Sequence, residues 1–168
     1  EIMPSLVGSE MCIRDRSRPA DRATRASRGR AVTVARTWAV ALTGMRGDLV
    51  EVEADLSPQT PEFAIIGLPD KALGEAGRRV RNACTNRGLE LPKRRLTVNL
   101  SPASLPKRGS AFDVAIAVAA LATTGMMDAA RVADTVHIGE LGLDGRLRPV
   151  PGVCLLYTSD AADEGLGV

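Results

Sequence analysis

The chain is poor in the residues from which metal, redox and membrane sites are built. Its 168 residues hold three cysteines, Cys12, Cys84 and Cys154, and one histidine, His137. The cysteines have no paired spacing and His137 has no histidine or cysteine neighbour in the sequence, which argues against a disulfide framework and a structural zinc site. A reducing, cytoplasmic setting fits that usage. Excess charge of one sign is also missing. With 22 Lys and Arg against 20 Asp and Glu, the formal net charge is +2, which supplies no global pull toward nucleic acid or lipid and leaves only a local patch open. The longest apolar stretch, residues 111–122, is interrupted by Asp113 and falls short of the roughly 20 residues that cross a bilayer, so no membrane partner is expected. What remains, 45% apolar and 25% charged residues, is the composition of one soluble globular domain.

Two terminal stretches differ from the middle. Residues 6–16 read LVGSEMCIRDR and residues 154–164 read CLLYTSDAADE. Back-translating residues 10–16 as GAG ATG TGT ATA AGA GAC AG gives a reverse complement that, shifted in frame, encodes Cys-Leu-Leu-Tyr-Thr-Ser, the sequence of residues 154–159. One inverted DNA sequence can therefore encode both ends, as a transposon-type sequencing adapter would. Glu10, Arg14 and Asp15 leave no continuous apolar stretch for a secretory signal. Residues 1–16 and 154–168 are accordingly expected to be adapter-derived. Residues 17–33 (SRPADRATRASRGRAVT) have almost no large apolar side chains and cannot bury enough surface to fold. They read either as a basic arm or as sequence translated upstream of a GTG start at Val34. The informative segment is residues 34–153, long enough for a single core.

Within it, residues 37–43 (TWAVALT) and 49–56 (LVEVEADL) have strand patterning around a glycine-containing turn, the signal of a hairpin. Glu51, Glu53 and Asp55 fall on one face of the second strand, opposite Val50, Val52 and Ala54. They read as a solvated face, since nothing nearby completes a site for a hard cation. Residues 62–68 (EFAIIGL) form a third strand, after which Pro69 and Asp70 open a helix running to about Asn86, stopped by Gly88. Leu73, Ala76, Val80, Ala83 and Cys84 make its apolar stripe. Its other side carries Lys71, Arg78, Arg79, Arg81 and Asn82, followed by Arg87 and the run Lys93, Arg94, Arg95. These charges are either a solvated helix face or a patch in which guanidinium groups neutralise backbone phosphates. Residues 96–100 form a fourth strand. Ser110 and Asp113 match a capping box for the next helix, whose sequence, AIAVAALATT, is apolar nearly all round. Residues 135–141 and 146–150 flank an Asp-Gly turn and read as a second hairpin, with His137 in a structural role.

Four blocks then carry a resemblance: WAVALTGMRGDLVEVEADLS, FAIIGLPDKALGEAGRRVRNA, LTVNLSPASLPKRGSAFDVAIAVAAL and HIGELGLDGRLRPVPGV. In this order they resemble the N-terminal domain of the ComM/YifB proteins, the magnesium-chelatase-like AAA+ ATPases of bacteria. The resemblance implies an α+β fold of the ribosomal protein S5 domain 2 type, shared with the Lon protease domain: a mixed sheet with two main helices packed on it and a left-handed βαβ crossover, against the usual rule. It implies membership of a hexameric motor that drives DNA branch migration in recombination and natural transformation. DNA, the protein's own AAA+ domain and neighbouring subunits are the implied partners. No GxxxxGK[ST] phosphate loop occurs in the chain, so ATP and Mg are expected to belong to a motor domain outside it, and no cofactor to this segment. Lon-type peptidases read approximately PKDGPSAG at their nucleophile. Aligned with residues 106–113 (PKRGSAFD), that pattern sets Ala111 at the serine position and Ser110 one residue early, which argues against a Ser-Lys peptidase.

Overall fold

The computed structural model describes residues 34–44 and 46–153. The expected adapter-derived ends, the arm at residues 17–33, Cys12 and Cys154 lie outside the described residues.

Alternation of side chains generates a four-stranded sheet. In β2 (Arg46–Ser57), Val50, Val52 and Ala54 are fully buried, while Glu51, Glu53 and Asp55 are half-buried on the opposite face. β4 (Arg95–Ser101) repeats the pattern with Leu96, Val98 and Leu100 inward. β1 (Val34–Thr43) and β2 pair antiparallel through a short turn that starts at Gly44, whose φ of 64° suits glycine. Both strands are longer than the apolar pattern indicated. β4 pairs antiparallel with β2 and parallel with β3 (Glu62–Ile66), giving the order β1-β2-β4-β3. The expected α+β architecture, a mixed sheet with two main helices packed on it, is the one observed.

Between β3 and β4 the expected single helix is two. α1 (Lys71–Gly74) is capped by Asp70, whose Oδ1 accepts from the Leu73 N–H at 2.8 Å. α2 (Ala76–Asn86) follows after a break at Glu75, whose N–H turns back to the Ala72 carbonyl at 3.3 Å. Gly74, a weak helix former, stands at the break. α3 (Asp113–Thr123) lies across β1 and β2 and against α2. It buries Ala115, Ile116, Ala119 and Ala120 completely, as an all-apolar helix must. A single turn, α4 (Ala129–Val132), packs on α3 and β1.

The second hairpin is shorter than expected. Only β5 (Glu140–Leu141) and β6 (Leu147–Arg148) pair. Residues 135–137 run instead along the outer edge of β1, where the Trp38 N–H donates to Thr135 at 3.2 Å and the His137 N–H donates to Trp38 at 2.8 Å. An edge strand offers unpaired backbone groups, and this segment takes them. His137 Nδ1 lies 2.9 Å from the Thr37 hydroxyl, and burial holds its pKa below the ordinary histidine value.

One loop is fixed by close packing. Gly67 has φ 101°, and a Cβ there would stand 2.1 Å from the Leu100 carbonyl oxygen. Beside it the fully buried Lys107 donates to the carbonyl of Gly67 at 2.9 Å and to that of Pro102. Desolvation pushes its ammonium below the ordinary lysine range.

Candidate nucleic-acid interface

α2 has two chemically different sides. Inward, Ala76, Gly77, Val80, Ala83 and Cys84 are buried, and Gly77 lies so close to Phe63 that a Cβ would meet its ring at 2.8 Å. Burial pushes the Cys84 thiol up, which makes it packing rather than a nucleophile. Outward, Arg78 and Asn82 are exposed and Arg81 half-buried. The Arg81 guanidinium sits 5.9 Å from the centre of the Phe63 ring, a cation–π contact that holds it over β3. Phe63, Gly74, Gly77, Arg78, Arg81 and Asn82 line an open cleft of about 570 Å³.

Arg79 does not belong to this surface, contrary to the sequence expectation. Its Nε donates to Asp113 Oδ2 at 2.7 Å, and its Nη2 donates to Asp113 Oδ1 at 2.9 Å and to the Ala72 carbonyl at 3.0 Å. Asp113 is fully buried and also accepts from the Leu141 N–H at 3.3 Å. The hydrogen bonds that Asp113 accepts hold the Arg79 guanidinium above its ordinary pKa. Burial pushes the Asp113 carboxyl upward, against the opposing pull of the Arg79 hydrogen bonds and charge.

The capping box is likewise corrected. α3 starts at Asp113 with Phe112 as its N-cap and no side-chain cap bond. Asp113 is claimed by Arg79, and the Ser110 hydroxyl donates to the Glu140 carboxylate instead. The helix start is served by backbone: the Val114 N–H donates to Gly139 at 3.2 Å and the Asp113 N–H to Ser110 at 3.1 Å. Arg79, Asp113, Ser110 and Glu140 thus tie α2, α3 and β5 together.

This tie brings in residues that sequence reasoning missed. Asn86 Nδ2 donates to the Leu143 carbonyl at 2.7 Å, docking the β5–β6 turn on the end of α2. Gly145, at φ 73°, lies so close that a Cβ would stand 2.5 Å from Arg87 Cγ. Arg87, Arg146 and Arg148 are exposed there, with Asp144 3.5 Å from Arg146. Backbone hydrogen bonding from Arg146 holds the Asp144 carboxyl below the usual range. The spacing of Arg146 and Arg148 by two, next to an Asp-Gly turn, was the available signal. Lys93 and Arg94 are exposed in the connection from α2 to β4, whereas Arg95 is paired with Glu62 at 3.4 Å and with Gln59 at 2.8 Å.

A second cavity, about 290 Å³, is lined by Val40, Leu42, Ser110, Phe112, Ile138 and Glu140 among others, and no lysine lines it among the described residues. Ala111, also in its wall, offers no nucleophile. On the outer face of the sheet, Arg36 lies 3.6 Å from Glu51 and 3.8 Å from Glu53. No group of three or more potential metal ligands occurs among the described residues.

Residues 52–166 match the family described as subunit ChlI of Mg-chelatase. An uncharacterized protein of Mycobacterium tuberculosis is 47% identical over 122 residues, covering 73% of this chain and 24% of the relative. Competence protein ComM of Haemophilus influenzae is 41% identical over 122 residues, again 73% and 24%. YifB of Escherichia coli is 40% identical over 112 residues, covering 67% of this chain and 22% of the relative. The chain therefore spans about a quarter of the length of the curated relatives it matches. No helix among the described residues is long and apolar enough to cross a membrane.

Proposed function

The chain belongs to the family of Mg-chelatase subunit ChlI, and from that premise we propose that it is a non-catalytic accessory domain from the N-terminus of a ComM/YifB-like AAA+ ATPase. In this reading residues 34–153 are the domain, the protein is cytoplasmic, and ATP and Mg are bound by a motor domain elsewhere in the longer protein. The domain holds DNA for that motor, within a hexamer, and performs no peptide hydrolysis. The observation that supports it best is the set of outward cations, Arg78 and Arg81 on α2 and Arg87 at its C-cap, on a helix whose inner side is locked by Arg79 and Asp113. Lys93 and Arg94 extend the set. Guanidinium groups on a rigid helix neutralise phosphates without ordering a flexible segment first.

Fluorescence anisotropy of the 168-residue chain on labelled branched DNA, between 50 and 200 mM salt, tests it. Wild type is expected to bind with a steep inverse salt dependence. Arg78→Glu/Arg81→Glu/Arg87→Glu is expected to weaken binding at least tenfold and to flatten the salt slope. Absence of wild-type binding, or equal binding by the variant, overturns the assignment and leaves a contact between subunits as the role of this face.

A further inference from the structure

The cavity of about 290 Å³ lies against the open end of β1. Val40 and Leu42 alternate with the inward Ala39 and Ala41, so they point away from the core helices, and both line the cavity together with Ile138 and Val150. The backbone beside them is open as well. Trp38 turns its N–H and C=O outward to Thr135 and His137, so by alternation Val40 and Leu42 turn theirs outward too, and residues 135–137 reach only Trp38. Ser110 and Glu140 in the wall are bonded to each other, which leaves apolar contact as the main thing the cavity offers. Its volume stands at the lower limit of small-molecule sites and suits a few apolar side chains.

The chain itself leads there. Val150, Pro151 and Val153 line the same cavity, Gly152 turns at φ 88°, and Val153, still exposed, already has helical backbone. The matched part is 24% of the Mycobacterium tuberculosis relative, so most of that protein lies outside it. We propose that the cavity is the seat of the segment that follows Val153 in the longer protein, a helix whose apolar side chains fill it and whose body covers the open end of β1. Residues 154–168, expected above to be adapter-derived, take that segment's place in this sequence. A covering helix is one way in which a sheet edge is kept from pairing with other chains. Seated there, the segment also fixes the direction in which the rest of the protein leaves the sheet. This rests on the reading of the chain as part of a longer ATPase, and not on its binding of DNA.

The test compares urea unfolding of the 168-residue chain with that of a chain in which residues 154–168 are replaced by the residues that follow the equivalent of Val153 in the Mycobacterium tuberculosis relative, about 20 of them, or roughly 30 Å of helix. The replacement is expected to raise the folding equilibrium constant by about tenfold or more. Leu42→Ser/Val150→Ser, at two half-buried wall positions, is expected to change the 168-residue chain by no more than about threefold and to erase the gain in the extended chain. Leu143→Ser, at an exposed leucine that does not line the cavity, is expected to leave the gain intact. Equal stability of the two chains overturns the proposal, and so does a gain that survives Leu42→Ser/Val150→Ser. Either result leaves the DNA reading to its own salt-dependence test.

Discussion

On the inner side of α2, Arg79 commits its guanidinium to Asp113 and Ala72. On the outer side, Arg78, one residue away, stands exposed, with Arg81 resting on Phe63. The same side chain therefore serves two purposes within one helical turn. The half-buried Arg79 is structural because removing it leaves the fully buried Asp113 carboxylate stranded in a medium that solvates it poorly. An exposed arginine adds little to folding and is available to an anion. What separates them is angular position. Arg79 lies three residues after Ala76 and four before Ala83, on the stripe that faces the core, and Arg78 does not.

The largest way to break this comparison is Arg79→Ala, which strands the fully buried Asp113 carboxylate and is expected to cost about 3–5 kcal/mol in urea unfolding. Arg79→Met/Asp113→Leu, which removes both charges, is expected to recover most of that loss. Ser110→Ala removes the donor to Glu140 and is expected to cost about 1.5 kcal/mol, the value of a hydrogen bond to a charged group, with no change in the start of α3 by NMR. The pH dependence of His137 is smaller. Its pKa is lowered in the folded chain, so its contribution is complete above the unfolded value of about 6.5 and is lost as pH falls through the folded value. The urea midpoint should drop between pH 7.5 and 5.5, and His137→Asn should reduce that drop. Smallest of all, Arg78→Glu/Arg81→Glu should leave stability within about 0.5 kcal/mol while changing DNA binding. A large loss of stability there would erase the distinction between the two sides.

Much of the sheet was legible because burial on one face enforces alternation, as in residues 49–56. The all-apolar run of α3 likewise announced a buried helix. Three features were less visible. The break at Glu75 depends on which carbonyl its amide reaches, a choice that residue identity leaves open. The two-residue strands β5 and β6 are short because residues 135–137 found a better partner in β1. The site was only partly legible, since a row of arginines reads the same whether its charges face water or a carboxylate. Asp113 was the overlooked clue: a single acid in an apolar run needs a cation, and Arg79 was within reach. Ser110 was misassigned because a capping spacing is satisfied by any Ser-x-x-Asp, and here both side chains had stronger partners.

The two edges of the sheet are unequal. The middle of β1 is occupied by residues 135–137, whereas β3 ends the strand order among the described residues. Joining copies by strand pairing takes one edge per contact. Residues 135–137 take the outward backbone groups of Trp38, so a strand approaching the β1 edge meets an occupied position at its centre.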